Sequence, residues 1–261
     1  MSATGGIPPV KTITVGEVTY ALETVLKDDF FATTMLYKFH DAGQSDGPQS
    51  IILKTGRRGS FYGIPLEWLG RMLTHHEMAI LGRLAGIRGV PQVLGRHGTT
   101  GFIYAFIPGS TLDHKPAIPP HFFEQLRELV DAVHSRDIAY VDMNKRGNVI
   151  VGDDTRPHLI DFQISLHLPS IFLSPLRRFL YRADYYHLSK HVIRLAPHQA
   201  TIRDRELYQR RGILITLHRL LTYPYHKLRR ALLRYLYSKK LLGTRDVTRY
   251  SPENDPARFL R

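Results

Sequence analysis

The sequence predicts an α+β fold in which short strands dominate the first part of the chain and helices the second. Two observations lead to this prediction. Short apolar segments rich in Val, Thr and Ile follow one another up to about Ile107, separated by turn residues, as is typical of strands. Apolar residues recur at spacings of three and four in residues 66–84 and 120–135, which indicates amphipathic helices.

The N-terminal segments are predicted to form successive strands. Residues 10–20 indicate a first strand, and residues 20–26 and 33–39 indicate two more. Residues 50–55 form a short apolar strand that carries a single lysine, Lys54. Taken alone, a lysine at the end of an apolar strand more often extends to solvent than binds a ligand.

The next part of the chain alternates helix and strand. The helix predicted at residues 66–84 contains Glu77, which in isolation would be an ordinary solvated helix glutamate. Residues 89–95 and 101–107 predict an antiparallel pair of strands. The helix predicted at residues 120–135 carries its apolar residues along one side, so we expect it to be buried on that side.

A hairpin with flanking polar residues lies near the middle of the sequence. The apolar segments at residues 148–151 and 158–162 are joined by the turn-forming sequence Gly-Asp-Asp-Thr. Asp142 and Asn148 precede the first strand or begin it, and Asp161 ends the second. Two carboxylates and an amide oxygen suit phosphoryl transfer, because Mg²⁺ prefers oxygen ligands and a hydroxyl nucleophile needs an acceptor for its proton.

These residues resemble the catalytic and metal-binding loops of the protein-kinase-like superfamily, whose pattern is H-R-D-x-x-x-x-N followed by D-F-G. Asp142 matches the catalytic aspartate and Asn148 the metal-binding asparagine. Asp161 and Phe162 match the first two letters of D-F-G. The atypical bacterial branches, namely RIO-type kinases and lipopolysaccharide core sugar kinases, are the most similar variants.

The same resemblance extends upstream of the hairpin. Lys54 corresponds to the strand lysine that holds the α- and β-phosphates of ATP, and Glu77 to the helix glutamate that pairs with it. Tyr104 corresponds to the gatekeeper, and the backbone of Ala105 and Ile107 to the hinge that faces the adenine edge. The resemblance therefore implies a two-lobed protein-kinase-like fold, with a small lobe at residues 1–104 and a large lobe at residues 105–261.

The resemblance also implies a role for each polar residue. Asp142 would orient a hydroxyl acceptor and take its proton, while Asn148 and Asp161 would hold Mg²⁺ against the phosphates of ATP. Lys145 would neutralise the transferring group. Asp184 is expected to brace the catalytic loop. Both a protein Ser/Thr and a lipopolysaccharide-type sugar fit as the acceptor.

Several departures from the family pattern favour an alternative, a pseudokinase or nucleotide-binding scaffold. Tyr140-Val141 replaces His-Arg, Gln163 replaces the glycine of D-F-G, and the loop from Asp142 to Asn148 is one residue longer than usual. The connection at residues 27–32, where the family has its glycine-rich loop, contains no glycine.

Positive charge is concentrated in the C-terminal part of the chain. The net charge is +13, and residues 167–261 carry 20 of the 36 Lys and Arg but only 6 of the 23 Asp and Glu. Residues 226–242 predict a basic amphipathic helix, which fits either an anionic membrane surface or an ordinary helix of the large lobe. Anionic lipid and lipopolysaccharide phosphates are candidate partners, and RNA is a less favoured one.

The composition gives expectations about the cellular location of the protein and about metal binding by its histidines. The chain has no cysteine, no apolar N-terminal signal segment and no apolar run of about 20 residues, so we expect a cytoplasmic protein, with peripheral binding to the inner face of the membrane as a further expectation. His187 and His191 have the i, i+4 spacing of metal ligands, but no third ligand is evident, and we expect solvated or packing roles.

Overall fold

The computed structural model describes residues 10–28, 32–39, 47–56, 60–61, 64–65 and 67–209. These residues form two compact units. The first contains the described part of the segment up to Thr74 together with Gly95–Ile103, and the second contains His75–Leu94 and the described residues from Tyr104 onward. No helix in the described residues is both long enough and apolar enough to cross a membrane.

The first unit is built on a six-stranded sheet with the strand order β1-β2-β3-β4-β8-β7, whose last two strands continue into the second unit. A two-stranded sheet of β5 and β6 accompanies it. The strands are β1 (Thr12–Val15), β2 (Val18–Asp28), β3 (Ala32–Phe39), β4 (Ser50–Gly56), β5 (Ser60–Phe61), β6 (Ile64–Pro65), β7 (Val93–His97) and β8 (Gly101–Ala105).

The predicted first strand is wrong in one respect, because residues 10–20 are not a single strand. A turn at Gly16, with φ of 62°, reverses the chain, so that Val15 pairs with Val18 in an antiparallel hairpin. A positive φ is readily adopted by glycine but costs energy in residues with a side chain. The predicted strands at residues 33–39 and 50–55 are confirmed as β3 and β4.

The core of the sheet is apolar and is completed by two tyrosines. It consists of Ile13, Tyr20, Met35, Tyr37, Ile51, Leu53 and Ile103. Alternate residues of a strand point to the same face, which is why Met35 and Tyr37 are buried together, as are Ile51 and Leu53. The hydroxyl of Tyr37 donates to the Val10 carbonyl at 2.9 Å, and that of Tyr20 to the Pro48 carbonyl at 3.0 Å.

Four α-helices and four 3₁₀ helices are present in the described residues. The α-helices are α1 (Glu67–Arg83), α2 (Phe122–His134), α3 (Ser174–Leu195) and α4 (Ile202–Gln209). The 3₁₀ helices are Leu112–His114, Arg146–Asn148, Ile171–Leu173 and Pro197–Gln199. The two helices predicted from periodicity are confirmed as α1 and α2, and the predicted apolar side of α2 is buried.

The predicted central hairpin is confirmed and gains a third strand. β11 (Val149–Gly152) pairs with β12 (Pro157–Leu159) in antiparallel register, and β9 (Gly109–Thr111) pairs with the other edge of β11. Gly109 has φ of 145°, and a Cβ there would lie 2.3 Å from the Val151 carbonyl oxygen. Only glycine allows β9 to approach β11 this closely.

Two short strands frame the loop that contains Asp142. β10 (Ile138–Ala139) precedes that loop and pairs antiparallel with β13 (Leu166–His167), which follows Asp161. This pairing joins the start of the loop that contains Asp142 to the segment that follows Asp161.

One predicted strand begins later than expected, and two other predicted segments fall partly or wholly outside the described residues. The strand predicted at residues 89–95 begins later, at Val93, because residues 89–92 are irregular. The connection at residues 27–32 includes positions 29–31, which lie outside the described residues, and so does the predicted basic helix at residues 226–242.

Candidate active site

The backbone before Asp142 makes an unusual turn. The Asp142 amide donates to the Tyr140 carbonyl at 2.8 Å, and Val141 between them has φ of 70°. An i to i+2 bond around a residue with positive φ is a classic γ-turn, which is rare and strained, the more so for a β-branched residue. Such strain persists only where surrounding contacts hold it, and it concentrates at functional sites.

Asp184 supplies those contacts. Its carboxylate accepts from the amides of Tyr140 at 2.9 Å and Val141 at 2.8 Å, so both peptide groups of the turn are held by one side chain of α3. His134 approaches the same carboxylate, with Nε2 at 3.0 Å from Oδ2. Asp184 is fully buried. Asp184 thus braces the loop that contains Asp142, as the sequence predicted.

Tyr140 connects this turn to the strand that leads to Asp161. Its hydroxyl donates to the Ile160 carbonyl at 2.5 Å, and its ring packs edge-on against Phe162 at 4.9 Å between centroids. Burial raises the pKa of Tyr140 well above its usual value, and the nearby carboxylates of Asp142, Asp161 and Asp184 raise it further. The hydroxyl therefore keeps its proton and acts as a donor.

The Asp142 carboxylate is held by two donors. Asn148 Nδ2 lies 2.9 Å from Oδ2 of Asp142, and Lys145 Nζ lies 2.5 Å from the same oxygen. Asp142 is only 8% exposed, and this burial raises its pKa. Lys145 and Asn148 oppose the rise, and the negative charge of Asp161 adds to it. The result is a carboxylate that is more basic than an ordinary aspartate.

Asp161 follows β12 in the left-handed backbone region, with φ of 62°. Its negative charge raises the pKa of both Asp142 and Tyr140, so the Asp161 carboxylate lies near both groups. Asn148 ends a 3₁₀ helix immediately before β11, and its carbonyl accepts from the Ile160 amide at 3.0 Å. The structure therefore brings Asp142, Lys145, Asn148 and Asp161 together as one cluster.

Ser165 and His76, to which the sequence assigned no role in the site, form hydrogen bonds that link the segment after Asp161 to its neighbours. The Ser165 hydroxyl donates to the Tyr140 carbonyl at 2.9 Å. The Ser165 carbonyl lies 2.8 Å from Nε2 of His76, one residue before Glu77 in α1. Neither side chain belongs to a local pattern, so the sequence carried no signal for them beyond their polarity.

The loop is also held from α3. Nε2 of His191 lies 2.7 Å from the Met143 carbonyl, and Lys190 contacts the side-chain oxygen of Asn144. Burial, with the neighbouring charge of Lys190, lowers the pKa of His191 to about 3, so its ring is neutral and Nε2 is the donor. Of the solvated and packing roles expected for His191, the structure shows the packing role, against the backbone of the loop that contains Asp142. The described residues contain no group of three or more His, Asp or Glu side chains placed to hold a metal ion.

The predicted nucleotide-binding residues lie in both units. Lys54 lies in β4, opposite Thr34 of β3 and partly buried, and belongs to the first unit. Glu77, Ala105 and Ile107 belong to the second unit. Glu77 is 4% exposed, so it is not the solvated glutamate that its position in isolation would suggest. The Ala105 amide donates to the Gln92 carbonyl at 3.1 Å.

The donor atoms of the cluster fit a magnesium ion. Asn148 turns its amide nitrogen toward Asp142, which directs its side-chain oxygen away from that carboxylate. That oxygen and the Asp161 carboxylate are hard ligands of the kind that Mg²⁺ prefers, and Mg²⁺ in such sites usually keeps few protein ligands beside substrate phosphates. Asn148 and Asp161 are therefore the residues of this cluster whose oxygens could hold Mg²⁺.

Comparison with known proteins supports the fold. No protein-family model matches the sequence, and no curated protein matches it. Among solved structures, the chain is similar to the Rio2 kinase of Chaetomium thermophilum, crystallised as a complex with ADP, Mg²⁺ and phosphoaspartate. The two share 14% identity with a TM-score of 0.54, over 70% of this chain and 58% of the Rio2 chain.

The chain therefore has a protein-kinase-like α+β fold, and the predicted fold class is confirmed. The likeness covers less than two thirds of the Rio2 chain.

Proposed function

We propose that this protein is an ATP-dependent phosphotransferase that moves the γ-phosphate to a hydroxyl acceptor. The observation that carries the proposal is the state of Asp142, a buried carboxylate of raised pKa that shares one site with Asn148 and Asp161. A general base works best when its pKa is closer to the working pH, and burial has moved Asp142 in that direction.

In this proposal Asp142 accepts the proton of the acceptor hydroxyl. Both of its donors contact Oδ2, so Oδ1 is the oxygen that we assign to the hydroxyl. The acceptor oxygen forms a bond to the γ-phosphorus while the bond to the bridging oxygen breaks, and ADP leaves. Lys145, paired with Asp142 and half exposed, is placed to neutralise the transferring group.

Asn148 and Asp161 would hold Mg²⁺, which supplies charge neutralisation for the phosphates. Lys54, fixed by Glu77, would position the α- and β-phosphates. The backbone carbonyl of Ala105 and the backbone of Ile107 would contact adenine. The carbonyl of Ala105 is assigned this contact because its amide already donates to the Gln92 carbonyl. The ADP and Mg²⁺ bound to the Rio2 neighbour support this choice of ligands. The corresponding lobes would be residues 1–104 and 105–261.

Two classes of acceptor fit this proposal, the hydroxyl of a protein Ser or Thr and the hydroxyl of a lipopolysaccharide-type sugar. We propose that the basic C-terminal region brings the enzyme to an acidic partner, and anionic lipid fits better than RNA. The Rio2 structure contains phosphoaspartate. An assay of this chain should therefore separate hydroxylamine-labile acyl phosphate from the stable ester that a hydroxyl acceptor would give.

The second candidate is a nucleotide-binding scaffold without turnover. The observation that favours it is the glycine-free connection at residues 27–32, together with the two donors that already occupy Oδ2 of Asp142. Both functions require nucleotide binding, and only the first requires phosphoryl transfer.

The experiment compares nucleotide binding by calorimetry with γ-phosphate turnover in three variants. Asp142→Asn should bind ADP with Mg²⁺ as the wild type does but lose about 10²- to 10⁴-fold in turnover, because an amide cannot accept the proton. Asp161→Ala should lose the Mg²⁺-dependent part of binding. Asp153→Asn, an exposed aspartate on the same hairpin, is the matched control and should change neither.

The outcomes separate the candidates. Wild-type protein that binds nucleotide but shows no turnover supports the scaffold. Absence of nucleotide binding would rule out both functions.

A further inference from the structure

A group of large apolar side chains lies uncovered where the chain enters α3. Ile171 is 72% exposed and Phe172 89% exposed, and Leu173 and Leu176 are also exposed. The first three form a 3₁₀ helix that leads directly into α3. We call these four residues the apolar knuckle. Single exposed apolar residues are common on protein surfaces, but a contiguous group of this kind usually marks an interaction site.

The knuckle is held in place by specific contacts. The Ser170 hydroxyl accepts from the Phe172 amide at 3.3 Å and caps the 3₁₀ helix. Behind the knuckle, Arg177 Nη1 donates to the Asp137 carboxylate at 2.6 Å and to the Leu168 carbonyl at 3.0 Å. These bonds hold the start of α3, next to the knuckle, against the segment before the Asp142 loop. The backbone that carries the apolar side chains is therefore held in position.

The segment that carries the knuckle is positively charged. Residues 168–182 contain three arginines and no acidic residue. Arg177 forms the bonds that hold the start of α3, whereas Arg178 and Arg182 are exposed, and they lie one helical turn apart on the same side of α3. A cluster of apolar side chains with arginines beside it is the arrangement that suits the boundary between lipid headgroups and acyl chains.

We propose that the apolar knuckle inserts into the surface of an anionic lipid bilayer. Phe172 and Ile171 enter the acyl boundary, and Arg178 and Arg182 bind lipid phosphates at headgroup level. The inference rests on the lipid docking proposed above and names the residues that enter the bilayer. It does not depend on phosphoryl transfer, because none of these residues belongs to the Asp142 cluster.

Charge favours a bilayer over a second copy of the chain. A two-fold symmetric dimer through the knuckle would place the arginines of residues 168–182 against the same arginines of the partner, with no acidic residue in this segment to compensate. Nucleic acid would match the charge, but three of the four knuckle side chains (Ile171, Leu173 and Leu176) are aliphatic, and Phe172 alone offers a base an aromatic surface for stacking. Lipid satisfies both the apolar and the basic residues.

The direct test is a depth measurement with tryptophan fluorescence. The chain has one tryptophan, Trp68, which is 57% exposed in α1. Full-length protein carrying Trp68→Phe and Phe172→Trp is mixed with vesicles of phosphatidylglycerol and phosphatidylcholine that contain brominated acyl chains. We expect a blue shift and quenching by the bromines. The matched control carries Trp68→Phe and Ile202→Trp, since Ile202 is 79% exposed on α4, and should show neither.

Affinity measurements separate insertion from simple charge attraction. Replacement of Phe172 by Ser should lower binding to the anionic vesicles about tenfold or more, because one large apolar side chain no longer enters the bilayer. Ile202→Ser is the control and should leave binding unchanged. Arg178→Gln with Arg182→Gln should lower binding about 10- to 30-fold and reduce the preference for anionic over neutral vesicles. Circular dichroism confirms that each variant is folded.

Three results would overturn the proposal. The first is an unquenched tryptophan at position 172 while the protein is bound to the vesicles, which would leave the charge alone responsible. The second is Phe172→Ser binding as well as wild type. The third is a dimer in solution that Phe172→Ser dissociates, which would assign the knuckle to a second copy of the chain.

Discussion

The sheet of the first unit and the loop around Asp142 in the second unit are each stabilised by a different kind of interaction. The sheet core is formed by apolar side chains and two tyrosines whose hydroxyls bond to backbone carbonyls. The loop around Asp142 contains the buried polar residues Asp142 and Asn148 and packs against two more, Ser165 and Asp184. Apolar burial has no preferred direction, whereas each buried polar group needs its particular partner.

This difference separates stability from chemistry. An apolar core tolerates substitutions that keep its volume and responds to lost volume with lost stability. A buried polar network fails when a single partner is removed, because the other partner is left unsatisfied. We therefore expect substitutions in the sheet to affect folding alone, and substitutions around the loop to affect the geometry of Asp142 first.

Asp184→Ala should have the largest effect. It leaves the amides of Tyr140 and Val141 without their acceptor and removes the support of the strained turn before Asp142. We expect a loss of about 3–5 kcal/mol in the free energy of unfolding. Turnover should fall at least about 100-fold even at temperatures where the protein is folded. Denaturant melts and turnover assays measure the two effects, and full turnover in the folded variant would contradict the bracing role.

Ile51→Ala should reduce stability and leave the chemistry intact. Ile51 is fully buried in the sheet core, and truncation of such a side chain costs about 2–5 kcal/mol through lost burial and a residual cavity. Turnover per folded molecule should stay at the wild-type level. Ile51→Val, which removes one methylene group, should cost only about 1 kcal/mol and serves as the graded control. A selective loss of turnover in either variant would show that the sheet core and the site are coupled.

The pH dependence of turnover should report the raised pKa of Asp142. A general base must be deprotonated, so turnover should fall as pH drops through a value above 3.8, the ordinary value for aspartate. A carboxyl whose pKa is raised by folding adds to the free energy of unfolding at pH values below its pKa in the unfolded state. That contribution is lost as pH rises through its pKa in the folded state. Ionised Asp142 is therefore unfavourable for folding near neutral pH.

Because ionised Asp142 is unfavourable for folding near neutral pH, its replacement by Asn should not destabilise the protein. The melting temperature of Asp142→Asn should equal or exceed that of the wild type when both are measured at pH 7. A clearly lower melting temperature would show that the contacts with Lys145 and Asn148 outweigh the cost of burial.

His76→Phe should have the smallest effect, a loss of about fivefold in turnover, or about 1 kcal/mol, the usual contribution of one hydrogen bond. The ring of His76 bonds the Ser165 carbonyl, and a phenyl ring cannot. His76→Gln retains a donor and should restore most of the rate. His75→Phe, at the exposed neighbouring position, is the matched control. Equal rates in all three variants would show that the bond does not position the loop.

The sequence alone predicted the helices α1 and α2, the central hairpin and the residues of the candidate site. The periodic apolar residues of α1 and α2 predicted two helices, because a helix places every third or fourth residue on one side whatever surrounds it. Asp142, Asn148 and Asp161 could be chosen because hard oxygen ligands flanked a predicted hairpin. The hairpin at Gly16 was missed, since residues 10–20 are rich in strand formers on both sides of the turn.

Only the tertiary structure decided how those groups are held. The bond between Tyr140 and Asp184 joins residues 44 positions apart, and that between His76 and Ser165 joins residues 89 positions apart. Local patterns carry no information about such distant partners. The positive φ of Val141 and the raised pKa of Asp142 depend in turn on these contacts and on burial. Both are properties of the packed chain, because desolvation and backbone strain arise only when distant segments enclose the loop.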